Sequence, residues 1–512
     1  MEIKPATSEQ SPSERIGANL FEWPFLEKSG LVFLIGIPTL IFLLLSIPSL
    51  GKAYWLDEVF SVTASRSLSG LFHMFRELEN NMSLYQILLY FWMRVFGESE
   101  VATRSLSLLF GLLTIPLFFR LLRYWFNKSI TFYGTLLLAV NPMFVYYATE
   151  SRSYAMLILS TTISTLLFVR LLLNSRWSTA FWYGFSIAIG VYIHYFAILV
   201  TIVHAGTLSR KNFSKKYITA FLIAGAVALV GILPLFLFPP RAKTQVDWIL
   251  KPDFPTLWYV FSAEFGGGYV IVLLAACLFF VWRGMNWKNA KPDELIPEKL
   301  SIVWSIFPIL LLFLFSVLVK PVFLRRFFVW CVPGTALFSC LCIILTNWSR
   351  QLKSLVLILV IGLITWKTVV FSRLKGSGFE ESVAFMKKRI KPGDAVIVYP
   401  YFWELDVNYY LDKSGSKEAE ARPIPINLLP YAPGGGSKDP DPDLLSVRRL
   451  AGKPGRIYLF CNGNPGLSKS DTVLKRLWLP QIQTILSGQH PKEEEMVFGK
   501  ETDNPVRLKI FE

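Results

Sequence analysis

Apolar residues fall in runs long enough to cross a bilayer, separated by short polar joints. The runs lie near 31–50, 105–125, 129–147, 154–173, 178–193, 196–209, 217–238, 268–283, 300–319, 327–346 and 353–372, about eleven in all. The pattern predicts a polytopic α-helical membrane protein. Between the first two runs, 51–104 reads as a long loop. Within it Leu84–Met93 is apolar but too short to span, so it predicts an interfacial helix with Tyr and Trp at headgroup depth. A second loop, 239–267, leads into Gly266-Gly267-Gly268, which permits backbone angles closed to other residues. After about residue 375 the pattern becomes that of a soluble chain. Phe379–Ile390 has helical periodicity, Lys391-Pro392-Gly393-Asp394 is a turn and Ala395–Tyr399 a strand. A helix over 403–412, a Pro/Gly loop over 422–443 and a strand over Arg456–Phe460 complete a small α/β domain.

Composition agrees with the pattern. Of 512 residues, 53% are hydrophobic and 17% charged, with a mean hydropathy of +0.45, whereas soluble proteins carry about 25% charged residues. The net charge of +16 needs no nucleic acid to explain it, because membrane proteins concentrate Lys and Arg in cytoplasmic loops. No basic tract with interleaved aromatics suggests a nucleic-acid groove. With the N-terminus inside, the inner loops hold Arg120, Arg123 and Lys128, Arg170 and Arg176, Arg210, Lys211, Lys215 and Lys216, Arg283, Lys288, Lys291 and Lys299, Arg350 and Lys353. The opposite short loops are poorer in cations, which favours this orientation. An odd number of spans then puts the tail outside. The expected organisation is a cytoplasmic segment 1–30, a membrane catalytic domain 31–374 and an extracytoplasmic α/β domain 375–512. The first apolar run has no small-residue cleavage site after it and reads as a retained helix. Of the five cysteines, Cys277, Cys331, Cys340 and Cys342 lie in apolar runs and Cys461 in the tail, with no disulfide or metal spacing.

This orientation gathers polar groups on one face. Asp57-Glu58 follows the first run directly, and Glu150, Arg152, His194 and Arg325-Arg326 fall on the same outer side. Ionisable residues at a membrane boundary are functional candidates by default. Each also has a plain structural reading: a solvated helix cap for Asp57-Glu58, a helix-end position for Arg104, an ion pair with Glu150 for Arg152, a satisfied aromatic-patch histidine for His194, and a solvated boundary position for Arg325.

Five landmarks in order resemble a family. Trp55-Leu56-Asp57-Glu58-Val59-Phe60-Ser61 matches Trp-x-Asp-Glu-x-Phe-Ser at the start of the first outer loop. Leu84-Tyr85, then Gly97-Glu98-Ser99-Glu100 and Arg104, match a Leu-Tyr-Tyr and Gly-x-Ser-Glu-x-x-x-Arg stretch. Tyr147–Tyr154 resembles Tyr-Ser-Gln-Glu-Ala-Arg-x-Tyr, Tyr192–Phe196 resembles Tyr-Thr-His-Tyr-Phe, and Arg326-Phe327-Phe328 with Pro333-Gly334 resembles Arg-Tyr-Leu with a downstream Pro-Gly. The chain, over about 50 to 335, thus resembles the GT-C glycosyltransferases of the protein-mannosyltransferase and lipid A aminoarabinose-transferase type, in their bacterial membrane branch. Ser83, Thr149, Ser151 and Phe327 depart from the pattern, and none removes a charged group.

The resemblance implies transfer of a sugar from a polyprenyl-phosphate carrier to a lipid, glycan or protein acceptor on the outer face of a bacterial inner or plasma membrane. The leaving phosphate ionises a second time near pKa ~6, so it departs without an acid, unlike the alkoxide of glycoside hydrolysis. One base for the acceptor hydroxyl and cations for the phosphate suffice. Asp57 is the expected base. Adjacent residues do not face each other on a helix, so Glu58 is expected to orient Asp57, or to hold an acceptor or loop group, rather than mirror it, and direct attack predicts inversion. Arg104, Arg152 and Arg326 are the expected donor-phosphate clamps, since guanidinium matches phosphate oxygens bidentately. Tyr85, Glu150, Tyr154 and His194 are weaker candidates for sugar or acceptor contacts. Some relatives use a divalent cation, and no spacing here settles a metal site. Asp439-Pro440-Asp441-Pro442-Asp443 imitates the Asp-x-Asp motif of nucleotide-sugar enzymes but lacks any nucleotide-binding βαβ pattern around it. A transporter or flippase of lipid-linked sugars would show repeated halves with broken helices, and a degenerate relative would have lost Asp57. Neither feature is seen.

Overall fold

The structure is a computed structural model. It describes residues 21–241, 249–284, 296–391, 393–399, 401–413, 424–425, 447–452, 455–462, 479–502 and 504–512. Asp439–Asp443 and the N-terminal segment to residue 20 lie outside these.

After the short α1 (Pro24–Lys28) comes the first spanning helix, α2 (Leu31–Leu50). The chain then runs along one membrane surface as α3 (Leu56–Ala64), α4 (Leu68–His73) and α5 (Ser83–Phe96) before crossing back as α6 (Glu100–Leu122). The expected interfacial helix is α5, 14 residues long with Phe91, Val95 and Phe96 exposed. At the start of α6 the Ser99 hydroxyl accepts the Ala102 N–H, which stops the loop and starts the span.

The apolar run at 129–147 forms two helices, α7 (Lys128–Ala139) and α8 (Pro142–Tyr147). Pro142 has no N–H to continue α7, and the Asn141 side chain caps α8 by accepting from Met143 and Phe144 N–H. Spanning helix α9 (Tyr154–Asn174) leads into α10 (Trp177–Ile193), which ends at His194 in extended backbone. A 3-10 turn over Tyr195–Leu199 and α11 (Val200–Thr207) follow. The run expected at 196–209 is therefore a break plus a short helix.

Next come α12 (Lys215–Leu237) and the bent pair α13 (Phe254–Glu264) and α14 (Gly268–Gly284), which turns by 81°. Gly266 (φ +82°) and Gly267 (φ +134°) make that turn, the freedom expected of the glycines there. Then follow α15 (Ile296–Ser305), α16 (Phe307–Leu318), α17 (Val332–Ile344) and α18 (Arg350–Arg373). Among the described residues seven helical stretches are long and apolar enough to cross a membrane, or eight if the bent pair is one span. The broken and shorter apolar segments account for the difference from the eleven runs read in sequence.

Every residue of α17 is buried, packed chiefly between α15 and α7. The outer helix α12 shows Leu222, Leu229, Val230 and Phe236 to the surroundings, as a lipid-facing helix does. Small residues set the closest contact: a Cβ on Gly184 of α10 would lie 2.2 Å from the Ala224 carbonyl oxygen of α12.

Beyond α18 the chain forms a mixed five-stranded sheet of order β2-β1-β3-β5-β4, from β1 (Ala395–Val398), β2 (Ile424–Pro425), β3 (Ile457–Asn462), β4 (Glu493–Phe498) and β5 (Val506–Phe511). β1 pairs in parallel with β2 and β3, and β5 runs antiparallel between β3 and β4. Helices α19 (Phe379–Lys387), α20 (Glu404–Lys413) and α21 (Leu479–Gln489) accompany it. Ile424 and Pro425, inside the expected loop, add an edge to β1.

This domain is not a loose tail. The Tyr410 hydroxyl on α20 accepts the Tyr54 N–H at 2.7 Å, Ser377 donates to the Tyr54 carbonyl, and Lys413 meets Glu100 at 2.5 Å. Arg66 lies over the Tyr409 ring at 5.2 Å.

Candidate active site

Asp57 and Glu58 occupy the first turn of α3. Consecutive helical residues are rotated by about 100°, and here that rotation separates two electrostatic units. Glu58 Oε1 and Oε2 accept from Arg104 Nε at 2.7 Å and Nη2 at 2.6 Å. Glu58 Oε1 also accepts the Ser151 N–H at 2.9 Å. Arg104 spends Nη1 on the Leu50 carbonyl at 2.9 Å, with Ser49 and Lys52 carbonyls beside it. Both side chains are 0% exposed. Burial pushes the Glu58 carboxyl up, but Arg104, Lys375 and the Ser151 N–H outweigh it and hold the group below the usual carboxylate range. The expected phosphate clamp Arg104 thus has its donors committed inside the protein, and Glu58 turns away from Asp57 toward it.

Asp57 faces the other way. Its Oδ2 accepts from Arg326 Nη1 at 2.7 Å, and Arg152 Nη2 stands 3.8 Å away. The Asp57 side chain keeps 20% exposure, against 6% for Arg152 and 19% for Arg326, so the group stays reachable from solution. Arg152 Nη1 also donates to Ser61 Oγ at 3.1 Å, and Arg326 lies over the Trp55 ring at 5.7 Å. The alternative pairing of Arg152 with Glu150 is not the one formed. Glu150 instead faces Lys375, 3.8 Å away, whose Nζ donates to the Tyr146 carbonyl at 2.8 Å. Burial pushes the Glu150 carboxyl up to about 7, against the pull of Lys375.

His194 is buried at the break after α10. Its Nδ1 accepts the Phe196 N–H at 3.2 Å, which places the ring proton on Nε2. Burial, and then the charges of Arg152 and Arg326, push its pKa down to about 3, so the ring is neutral. Nε2 has no hydrogen-bond partner, and neither do the Glu150 carboxylate oxygens, Arg152 Nε or Ser153 Oγ. Buried polar atoms are ordinarily satisfied by protein, water or ligand, so this group of them is a candidate to meet a bound molecule. Tyr85 is different: its hydroxyl is 2.8 Å from Ser107 Oγ, which donates to the Arg152 carbonyl. It props Arg152 from behind and offers no open face to a sugar.

Two members were invisible in the sequence. Glu79 is half-buried at the end of a π-turn over Met74–Leu78. Burial pushes its carboxyl up while Arg152, Asp57 and Arg326 act on it by charge. It sits in a polar stretch without periodicity or motif. Lys375 lies just past α18, where a cation reads as an ordinary helix terminus. Arg325 departs from its expected solvated position: Nη1 donates to the Tyr259 hydroxyl at 2.5 Å and its guanidinium lies 4.6 Å from the Phe371 ring centre. Among the described residues no three His, Cys, Asp or Glu side chains converge to hold a metal ion.

Residues 83–238 match the family model of dolichyl-phosphate-mannose-protein mannosyltransferase. No curated protein sequence matches the chain. Among solved structures, ArnT from Cupriavidus metallidurans bound to undecaprenyl phosphate superposes with a TM-score of 0.56 at 12% identity, covering 93% of this chain and 97% of that one. The apo form of the same protein gives 0.53 at 11% identity, over the same shares of the two chains. The archaeal oligosaccharyltransferase AglB from Archaeoglobus fulgidus, in complex with an inhibitory peptide and a dolichol-phosphate, gives 0.51 at 11% identity, covering 91% of this chain and 72% of that one. The shared architecture is the GT-C fold. The mannosyltransferase family match falls within this fold, over 83–238.

Proposed function

We propose that the chain transfers a sugar from a polyprenyl-phosphate carrier to an acceptor hydroxyl at the extracytoplasmic membrane surface, with Asp57 as general base. The observation that carries this reading is the Asp57 carboxylate, partly open to solvent and bracketed by Arg326 and Arg152, beside buried polar atoms that lack partners. Solved structures of the same fold hold undecaprenyl phosphate or a dolichol-phosphate, which supports a lipid-phosphate donor. The far ends of the spanning helices carry cations such as Arg120 and Lys128, which supports placing the acidic site outside.

In this reading Arg152 and Arg326 turn from Asp57 toward the incoming donor phosphate, whose negative oxygens compete for them. The acceptor oxygen attacks the anomeric carbon as its proton passes to Asp57. The bond from that carbon to the phosphate oxygen breaks, and the phosphate leaves with the electron pair, held by the two guanidinium groups. The configuration at carbon inverts. Neutral His194 donates through Nε2, and Glu150 and Tyr154 offer further polar contacts to the sugar or acceptor. Arg104 and Glu58 hold α3 to α6 and take no part in the proton transfer.

Purified protein in proteoliposomes, given a labelled polyprenyl-phosphate sugar and a candidate acceptor, tests the reading. Asp57→Asn is expected to lower transfer by a factor of about 10² or more while the protein still folds. Full transfer by that variant would remove Asp57 as base, and saturable movement of the lipid without transfer would favour a flippase.

A further inference from the structure

The helices that carry the site also build a pocket at the opposite membrane surface. α9 starts at Tyr154 in the site and runs for 21 residues, about 31 Å at 1.5 Å per residue, the thickness of a bilayer core. Ser175 ends it with φ +41°, a left-handed cap that turns the chain so that α10 starts two residues later. α10 then returns to His194. At the turn between them a 390 Å³ pocket opens against the start of α12, lined by Ser175, Arg176, Trp177, Ser178, Lys216 and Thr219, with Ala220 and Ile223 on its apolar side.

Its chemistry points to an anion on a lipid. Arg176 and Lys216 are exposed, and among the described residues neither is in an ion pair. Neither α10 nor α12 has a side-chain cap, so two helix N-termini present uncapped N–H groups here. Ser175 is 8% exposed, and its hydroxyl has no hydrogen-bond partner. Trp177 is 75% exposed on the rim, and Leu173 and Leu222 beside it are open to the surroundings, as expected at the headgroup boundary. An acidic protein segment would meet the cations but would waste the apolar flank.

We propose that this pocket binds the phosphate of an anionic phospholipid headgroup in the leaflet opposite the Asp57 site. Arg176 and Lys216 pair with the phosphate oxygens, the Ser175 and Ser178 hydroxyls and free helix N–H groups complete their hydrogen bonding, and the acyl chains lie along the exposed apolar flank of α10 and α12. The assignment does not depend on the transfer chemistry.

Native mass spectrometry of the whole protein, titrated with phosphatidylglycerol or phosphatidylcholine, reads the site. Retention of phosphatidylglycerol is expected to exceed that of phosphatidylcholine several-fold and to fall about tenfold in R176A/K216A. The charge-preserving R176K/K216R pair and the control R120A/R283A, which removes equal charge elsewhere, should keep it. Glycerol 1-phosphate should fail to displace the lipid. In the wild-type protein, phosphatidylglycerol with a photoreactive acyl chain should label 173–182 and 216–223, which tests the site even if the alanine pair folds poorly. Equal retention by wild type and R176A/K216A, loss in the control pair, labelling elsewhere, or full displacement by glycerol 1-phosphate would overturn the proposal.

Discussion

Glu58 commits both carboxylate oxygens to Arg104 and accepts a third bond from the Ser151 N–H. A charge pair with no exposure is costly to break singly, because the remaining charge stays buried without a counter-ion. Arg104→Met is therefore expected to destabilise the fold by about 3–5 kcal/mol, read as a lowered unfolding midpoint in detergent. Arg326→Lys, which keeps a cation near Asp57 but loses the planar fork, should leave that midpoint nearly unchanged and cut transfer at least about tenfold. A normal midpoint for Arg104→Met with lost transfer would return Arg104 to the chemistry. Sequence alone placed Arg104, Arg152 and Arg326 together, since each is an arginine on a family landmark and guanidinium matches phosphate oxygens bidentately. What distinguishes them is partner geometry: Arg104 meets carbonyls of the α2–α3 joint, over fifty residues earlier, and no local pattern encodes that meeting.

At the scale of elements, breaks position the chemistry. α10 stops at His194 because the backbone there becomes extended, and α8 starts at Asn141-Pro142 through a cap and a missing N–H. The hydrophobic runs were legible, since burial in lipid demands them. The break at 140–142 was not, because apolar residues continue on both sides of Asn141-Pro142; the gap at 194–195 was visible between two runs, but the 3-10 turn that follows it was not. In the soluble part, β1, β3, α19 and α20 follow periodicity visible in the sequence. The β4–β5 hairpin does not: Glu493-Glu494-Glu495 leads its edge strand with charge, a pattern that protects an edge and hides a strand. The α10–α12 contact carries its own prediction. Gly184 lets the Ala224 carbonyl approach to a distance that excludes any side chain, so Gly184→Leu forces the helices apart. Overpacking of this kind costs about 1–3 kcal/mol, and here the obstacle is backbone. Thermal unfolding in detergent should show a loss at the upper end of that range.

The whole molecule is joined through a few contacts between its membrane and soluble parts. Tyr410 and Lys413 on α20 hold Tyr54 and Glu100 respectively. Lys413 is half-exposed, so its ion pair contributes less than the buried hydroxyl contact. Losing both in Tyr410→Phe/Lys413→Ala removes about 1–2 kcal/mol. Limited proteolysis between 374 and 378 should then accelerate about tenfold, with transfer falling in parallel. Unchanged cleavage with unchanged transfer would show that the domain is held by other contacts.

The grip on Tyr54 also has a consequence for biosynthesis. Both its backbone groups are held by residues more than three hundred positions later in the chain, Tyr410 and Ser377. A growing chain that has already inserted its first helices therefore carries Asp57 on a joint whose final restraints have not been made. The joint gains those restraints only when the chain has been made past Tyr410 and has folded back onto it. If Asp57 is the base proposed above, an unfinished chain is expected to be inactive, and completion of synthesis becomes the event that switches transfer on.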